Sequence, residues 1–317
     1  MTNQIQISAV SDTGYVRNNN EDNLYVDGRY MQQGKQGNFQ LSKIIETKSF
    51  VYAVCDGMGG EKSGERASFE AVNRLNCAAA TSAFLSMTLQ EKIQDINKYI
   101  EETNSAINSM SAISFDLKGM GTTFVCLVAA DDQAAAMHVG DSRAYLLREG
   151  IFTQLTRDHS ESERLIRLGI ITREQARGHK SRFMLNRHLG MPPEEGLLEA
   201  DTSNIIKLQK YDTFLLCSDG LTDMVEDEII KDILSDRTDS KTAAQMLVDE
   251  ALKNGGKDNI TAVVIKFLNI ESSVILPTSR KEEYRNSQRQ KILLACAVVF
   301  LAALVVTVAL LSGNLSN

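Results

Sequence analysis

FVYAVC at residues 50–55, closed by Asp56-Gly57, decides the fold. Valine, tyrosine and phenylalanine favour extended backbone, and the run stops at a residue pair that favours turns. It predicts a strand with a carboxylate at its end. The pattern returns in AMHV followed by Gly140-Asp141-Ser142-Arg143, and in FLLCS followed by Asp219-Gly220. A fourth instance reverses the order: Gly255-Gly256-Lys257-Asp258-Asn259 leads into ITAVVIKF, so the carboxylate begins the strand. Any one Asp-Gly reads equally well as a plain turn. Four aspartates at strand ends in one domain instead favour convergence on a hard cation, with glycine permitting close approach. Asn20-Glu21-Asp22 adds further oxygen donors.

Working outward, strands are also expected at Ile5 to Ser11, Thr122 to Ala129, Ala134 to Val139, Thr213 to Cys217 and Ile260 to Phe267. Three helices follow from spacings near the 3.6-residue period. One carries Ala67, Ala71, Val72 and Leu75, and a second Ile93, Ile96, Ile100 and Ile107. A third carries Ala243, Ala244, Leu247, Val248, Ala251 and Leu252. Each has one apolar face with which to cover a sheet. The elements cluster rather than alternate strictly, which favours an α+β fold in layers over a doubly wound parallel sheet.

The 317 residues are 43% hydrophobic, enough for a substantial core, and the formal net charge of -7 argues against a nucleic-acid binder. Cys55, Cys77, Cys126, Cys217 and Cys296 contain no CxxC pair and mostly lie in apolar runs, which suits a reducing compartment. The N-terminal MTNQIQISAVSDTGY lacks the basic start and apolar centre of a secretory signal. At the other end, residues 292–311 read ILLACAVVFLAALVVTVALL without a charge, the length of a transmembrane helix. Arg280, Lys281, Arg285, Arg289 and Lys291 precede it, so the positive-inside rule predicts a cytoplasmic domain at residues 1–269 and a single-pass anchor in the cell membrane. Residues 270–291, charged and containing Pro277, read as a juxtamembrane linker, and residues 312–317 as a short extracytoplasmic tail.

Oxygen donors without clustered Cys or His favour Mg²⁺ or Mn²⁺ over zinc. Two such ions bridged by a carboxylate ionise a water for attack on phosphorus, so phosphoester hydrolysis is the expected reaction class. Arg17, four residues before Glu21, offers a permanently charged planar fork to phosphate oxygens.

The segment from Ser11 to Asp22, SDTGYVRNNNED, resembles the opening motif SDxGxxRxxNED of bacterial PP2C-type protein phosphatases. Asp56-Gly57-Met58-Gly59-Gly60, Gly119-Met120-Gly121-Thr122-Thr123 and Val139-Gly140-Asp141-Ser142-Arg143 resemble the family's next motifs, in its order. Leu155-Thr156-Arg157-Asp158-His159-Ser160, Ser218-Asp219-Gly220-Leu221 and Asp258-Asn259-Ile260-Thr261 resemble the remaining ones. The resemblance covers nearly the whole domain.

It implies a four-layer αββα sandwich and hydrolysis of phosphoserine and phosphothreonine in proteins, opposing a serine/threonine kinase. It also implies two or three divalent cations, Mn²⁺ or Mg²⁺. Asp56 is then the carboxylate bridging two metals, and Asp219 and Asp258 complete the first site. The Gly57 carbonyl and Glu21, through water, serve the second, with Asp22 supporting that shell. Asp141 with Asp219 resembles the pair holding a third, weaker metal, and Arg17 the ligand of substrate phosphate. Two other readings remain open from sequence: a membrane-tethered phosphoprotein-binding pseudophosphatase, and a small-molecule phosphoesterase on the same scaffold. Met58 stands where some eukaryotic members carry a general-acid histidine. Residues 161–190 resemble the flap of bacterial members, but HKSRFMLNRHLG replaces the usual HPxRNxLTRALG. Arg182 and Arg187 in it are candidates to meet acidic or phosphorylated peptide. His138 and His159 read as packed rather than catalytic.

Overall fold

Along the first strand, β1 (Asn3–Asp12), Ile5, Ile7 and Ala9 enter one core while Val10 enters another, because successive side chains leave opposite faces of a pleated strand. A strand buried on both faces requires a layer on each side. The structure, a computed structural model, describes residues 2–35, 37–59, 63–235 and 239–270.

The remaining strands are β2 (Asn23–Val26), β3 (Phe39–Thr47), β4 (Ser49–Cys55), β5 (Gly57–Met58), β6 (Gly121–Thr122), β7 (Phe124–Ala130) and β8 (Gln133–Val139). They continue with β9 (Arg143–Arg148), β10 (Ile151–Gln154), β11 (Asp201–Thr202), β12 (Ile206–Lys207), β13 (Thr213–Cys217) and β14 (Ile260–Asn269). One antiparallel sheet has the order β10-β9-β13-β14-β1-β3, and the other β11-β8-β7-β4-β2 with β12 also on β8. β5 and β6 form a separate small pair. The helices are α1 (Ser63–Ala79), α2 (Ser82–Ser86), α3 (Leu89–Ile113), α4 (Glu161–Arg167), α5 (Arg173–Arg177), α6 (Asp219–Thr222), α7 (Asp227–Ser235) and α8 (Ser240–Lys253).

Three cores separate four layers. Between the sheets lie Ile5, Ile7, Phe50, Tyr52, Phe214 and Phe267, with Phe50 and Tyr52 stacked at 4.4 Å. Outside the second sheet, Ala71, Leu75, Ile96, Ile100 and Ile107 of α1 and α3 cover Cys55, Cys126 and Val128. Outside the first sheet, Ala244, Leu247, Val248 and Ala251 of α8 cover Val10, Leu215, Ala262 and Val264. The αββα order expected from the resemblance is therefore present, and all three helical stripes face sheets. Each buried Leu or Ile contributes about 1.5–3 kcal/mol. Thr88 and Glu91 form a capping box that starts α3, and Asp239 accepts from Lys241 and Thr242 N–H to start α8.

Several elements differ from the sequence reading. The run expected from Thr122 to Ala129 is split between β6 and β7, because Thr123 N–H and Oγ1 are both engaged with the Asp56 backbone. β3 was not expected: its exposed residues alternate with half-buried ones, as on an edge strand. Cys77 is exposed, unlike Cys55, Cys126 and Cys217. Among the described residues no helix is long and apolar enough to cross a membrane. The predicted span 292–311, the linker from residue 271 and the tail 312–317 lie outside the described residues.

Candidate metal centre

The strand register brings the acids to one end of both sheets. Ser11 of β1 pairs with Thr261 of β14, and Cys217 of β13 with Ala262. Asp219 and Asp258 therefore sit beside one another at the rim of the first sheet. In the second sheet Asn23 pairs with Cys55 and Phe124 with Val139, which sets Asp22, Asp56 and Asp141 at its rim.

Hydrogen bonds from distant strands fix each position. Ser218 Oγ and Thr261 Oγ1 donate to Asp22 Oδ2 at 2.7 and 2.6 Å, while Asp22 Oδ1 is buried without a hydrogen-bond partner among the described residues. Asn259 accepts from Glu21 N–H at 2.7 Å and donates to the carbonyls of Thr13 and Asn19, locking the 13–22 loop to the start of β14. Thr123 Oγ1 accepts from Asp56 N–H at 2.9 Å and meets Ser142 Oγ at 2.7 Å, so one threonine ties the Asp56 turn to the Asp141 turn. Two glycines are required by space. A Cβ at Gly57 would run into the carbonyls of Gly64 and Glu21, and Gly140, at φ +105°, packs against Thr123.

The electrostatics are unbalanced. Asp56, Asp141, Asp219 and Asp258 keep a partly accessible face, whereas Glu21 and Asp22 are buried. Burial, reinforced by neighbouring aspartates, raises Asp56 and Asp219 well above the usual carboxylate range. Burial pushes Asp141 up to about 7, Asp158 adding to it and Arg143 opposing. Burial likewise pushes Asp22 up to about 7 against the two hydroxyl donors. Acids crowded this closely favour protons or external cations. Arg17 does not neutralise the group: its Nη2 donates to Asp258 Oδ2 at 2.7 Å, and its side chain remains 48% exposed beside the acids. A cavity of roughly 550 Å³ opens beside Asp141 and Asp219, with the flap as its other wall. An all-oxygen donor set with an unpartnered buried carboxylate oxygen fits Mg²⁺ or Mn²⁺.

All the acids expected at the site thus converge, with Gly57 and Arg17 beside them. Sequence reasoning missed the residues that hold them: Thr123, Ser142, Ser218, Asn259 and Thr261. Each lay within a recognised motif, and its small hydroxyl or amide was the available signal.

His138, His159 and Asp201 place possible ligand atoms within 4.8 Å of one another. Their hydrogen bonds assign them otherwise. His159 Nδ1 accepts from Gly140 N–H at 3.1 Å, and its Nε2 lies 3.2 Å from both Asp201 Oδ2 and Arg187 Nη1. Burial, His138 and Arg187 hold His159 down to about 4, and it stacks on His138 at 4.5 Å. This neutral imidazole joins the Gly140–Asp141 turn to the flap, where Asn186 N–H donates to the His159 carbonyl at 2.9 Å. Arg182 and Arg187 are held within the protein. Arg182 pairs with Asp223 just beyond α6, and Arg187 donates to Asp201 at 2.7 Å and to the Glu199 carbonyl.

A layered sandwich that gathers oxygen donors at one rim is the architecture implied by the sequence motifs. The family model described as Protein phosphatase 2C matches residues 35–260, and the chain belongs to that family. It is 37% identical over 256 residues to the serine/threonine phosphatase stp of Listeria innocua, covering 81% of this chain and 93% of that protein. Among solved structures, the serine/threonine phosphatase PstP/Ppp of Mycobacterium tuberculosis superposes with a TM-score of 0.69 at 32% identity, covering 84% of this chain and all of that one. The catalytic domain of PstP in complex with two manganese ions gives 0.68 at 31% identity, with coverage of 84% and 100%.

Proposed function

We propose that the chain is a metal-dependent protein serine/threonine phosphatase that hydrolyses phosphoserine and phosphothreonine by direct attack of water. The observation that carries this reading is the rim of acids around Asp56 and Asp219, raised by burial and by one another and left without enough protein cations to balance them. Its relatives' phosphatase names and the two manganese ions of PstP support the same reading.

Asp56 would serve two cations, with Asp219 and Asp258 on the first. The Gly57 carbonyl and Glu21 would serve the second, with Asp22 supporting them. Asp141 and Asp219 would hold a third, weaker ion. When bound, Mn²⁺ or Mg²⁺ supplies positive charge for the phosphoryl oxygens and makes a water acidic enough to lose its proton at neutral pH. Arg17 holds the substrate phosphate by a planar pair of N–H donors, a role its exposure and its seat beside Asp258 suit. Asn259 and Thr123 keep the acids in place, so little reorganisation accompanies reaction. Met58 offers no proton, and the leaving serine or threonine oxygen takes one from water.

The apolar run 292–311 and the basic residues before it support a single-pass membrane anchor with residues 1–269 in the cytoplasm, where the phosphatase opposes a serine/threonine kinase. Phosphate release from a phosphothreonine peptide tests the activity: release is expected with Mn²⁺ or Mg²⁺ and lost in chelator, and metal-independent or absent release overturns it. Protease added to intact cells should leave the domain uncut, and its digestion would overturn the orientation.

A further inference from the structure

The cavity beside Asp141 and Asp219 has walls of opposite charge. On the α6–α7 side stand Asp219, Asp223, Glu226 and Asp227, and on the flap side stand Arg157 and Arg173. Other arginines near it are already held by carboxylates. Arg143 clasps Asp158 through two bonds of 2.9 and 2.6 Å, and Arg182 is paired with Asp223. Arg157 and Arg173 differ. Their only ionic partner among the described residues is the Glu163 carboxylate, approached by both at 3.7 and 3.8 Å. Neither distance is a hydrogen bond. Two guanidiniums, 66% and 73% exposed, thus share one nearly buried carboxylate and carry one unit of positive charge more than it balances.

We infer that Arg157 and Arg173 form an anion subsite on the flap wall, which takes an acidic or second phosphorylated side chain of the same polypeptide whose phosphoresidue lies at the metal centre. This rests on the phosphatase reading and adds a preference within it. Both arginines line the one cavity that contains Asp141 and Asp219, so an extended peptide entering with its phosphate reaches both. Guanidinium donors match carboxylate and phosphate oxygens in pairs, and the acidic α6–α7 wall repels an anion toward the flap.

The test uses the full-length chain with Mn²⁺ and three phosphothreonine peptides of equal length, flanked by neutral residues, by glutamates, or by a second phosphoserine. Wild type is expected to favour the anionic peptides roughly tenfold in kcat/KM, less so as salt rises, about the effect of one charge-assisted hydrogen bond. In the double variant Arg157→Ala, Arg173→Ala that ratio falls to about one. Arg157→Lys with Arg173→Lys retains part of it. Arg164→Ala, whose guanidinium is held by Glu161 at 2.7 and 2.6 Å, leaves the ratio as in wild type. The glutamate and phosphoserine arms separate carboxylate from phosphate recognition. A wild type indifferent to flanking charge, or a preference that survives the double alanine variant, overturns the subsite. If no peptide is turned over, the phosphatase reading fails, and anisotropy of the labelled peptides still decides the subsite by the same ratio of affinities.

Discussion

Asp212 and Asp219 stand at opposite ends of β13 and show two uses of a buried acid. Asp212, with a fully buried side chain, receives both arms of Arg148 at 2.7 and 2.6 Å and a bond from Gln209 N–H. Its charge is answered within the protein. Asp219 instead faces Asp56, Asp141, Asp223 and Asp258. An acid answered internally ties sheet strands together, while acids answered only by other acids destabilise the empty fold and create demand for external cations.

The largest expected effect breaks the unanswered end. Asp219→Asn should lower turnover more than about a hundredfold, beyond the 10- to 100-fold typical of residues that merely support metal ligands. In chelator the same variant should melt higher than wild type, because one member of a repelling group is gone. A lower melting temperature in chelator would show that Asp219 is a structural acid like Asp212. Breaking the other end should do the reverse. Arg148→Ala strands the Asp212 carboxylate and should cost about 3 kcal/mol by urea unfolding, with turnover per folded molecule kept.

A finer test concerns what holds Asp141. Asn at position 159 keeps an acceptor near Nδ1 for Gly140 N–H, whereas Gln reaches only the Nε2 side toward Asp201. Calorimetric Mn²⁺ affinity should therefore fall roughly tenfold in His159→Gln and much less in His159→Asn. Equal losses would mean the histidine serves only the flap.

The smallest effect is one of pH. Asp22 and Asp141, pushed up to about 7, and the higher Asp56 and Asp219 hold protons in the fold that the unfolded chain releases near 3.8. Their contribution is full below that value and lost as pH rises through 7 and beyond. His159, held down to about 4, has the opposite sign: its contribution is present above about 6.5 and lost toward 4. Between pH 8 and 6.5 the four carboxylates act, opposed by Lys92 alone, which burial holds down to about 8 and whose contribution is lost as pH falls through that value. In chelator the melting temperature should rise by a few degrees on acidification across that window, and saturating Mn²⁺ should remove the slope. A falling melting temperature would mean the acids are balanced after all.

Much of this was legible in the chain. Apolar runs ending at Asp56, Asp141 and Asp219 became β4, β8 and β13, and the Ala and Ile stripes became α1, α3 and α8. β9 was not legible, because Arg143 and Arg148 close off a run of only four residues, Ala144 to Leu147. Both are in fact paired, with Asp158 and Asp212, residues distant in sequence. The flap arginines misled for the same reason. Arg182 and Arg187 occupy the more suggestive motif, yet tertiary partners take them, leaving Arg157 and Arg173 at the cavity.

The sequence by itself determined which residues carry the chemistry and that they sit at strand ends, since apolar period, Asp-Gly pairs and motif order are local properties. Only the tertiary structure decided which of those charges are answered. Pairing depends on through-space distance between residues on different elements, from Arg148 with Asp212 to Arg17 with Asp258 at 2.7 Å, and no local pattern encodes it.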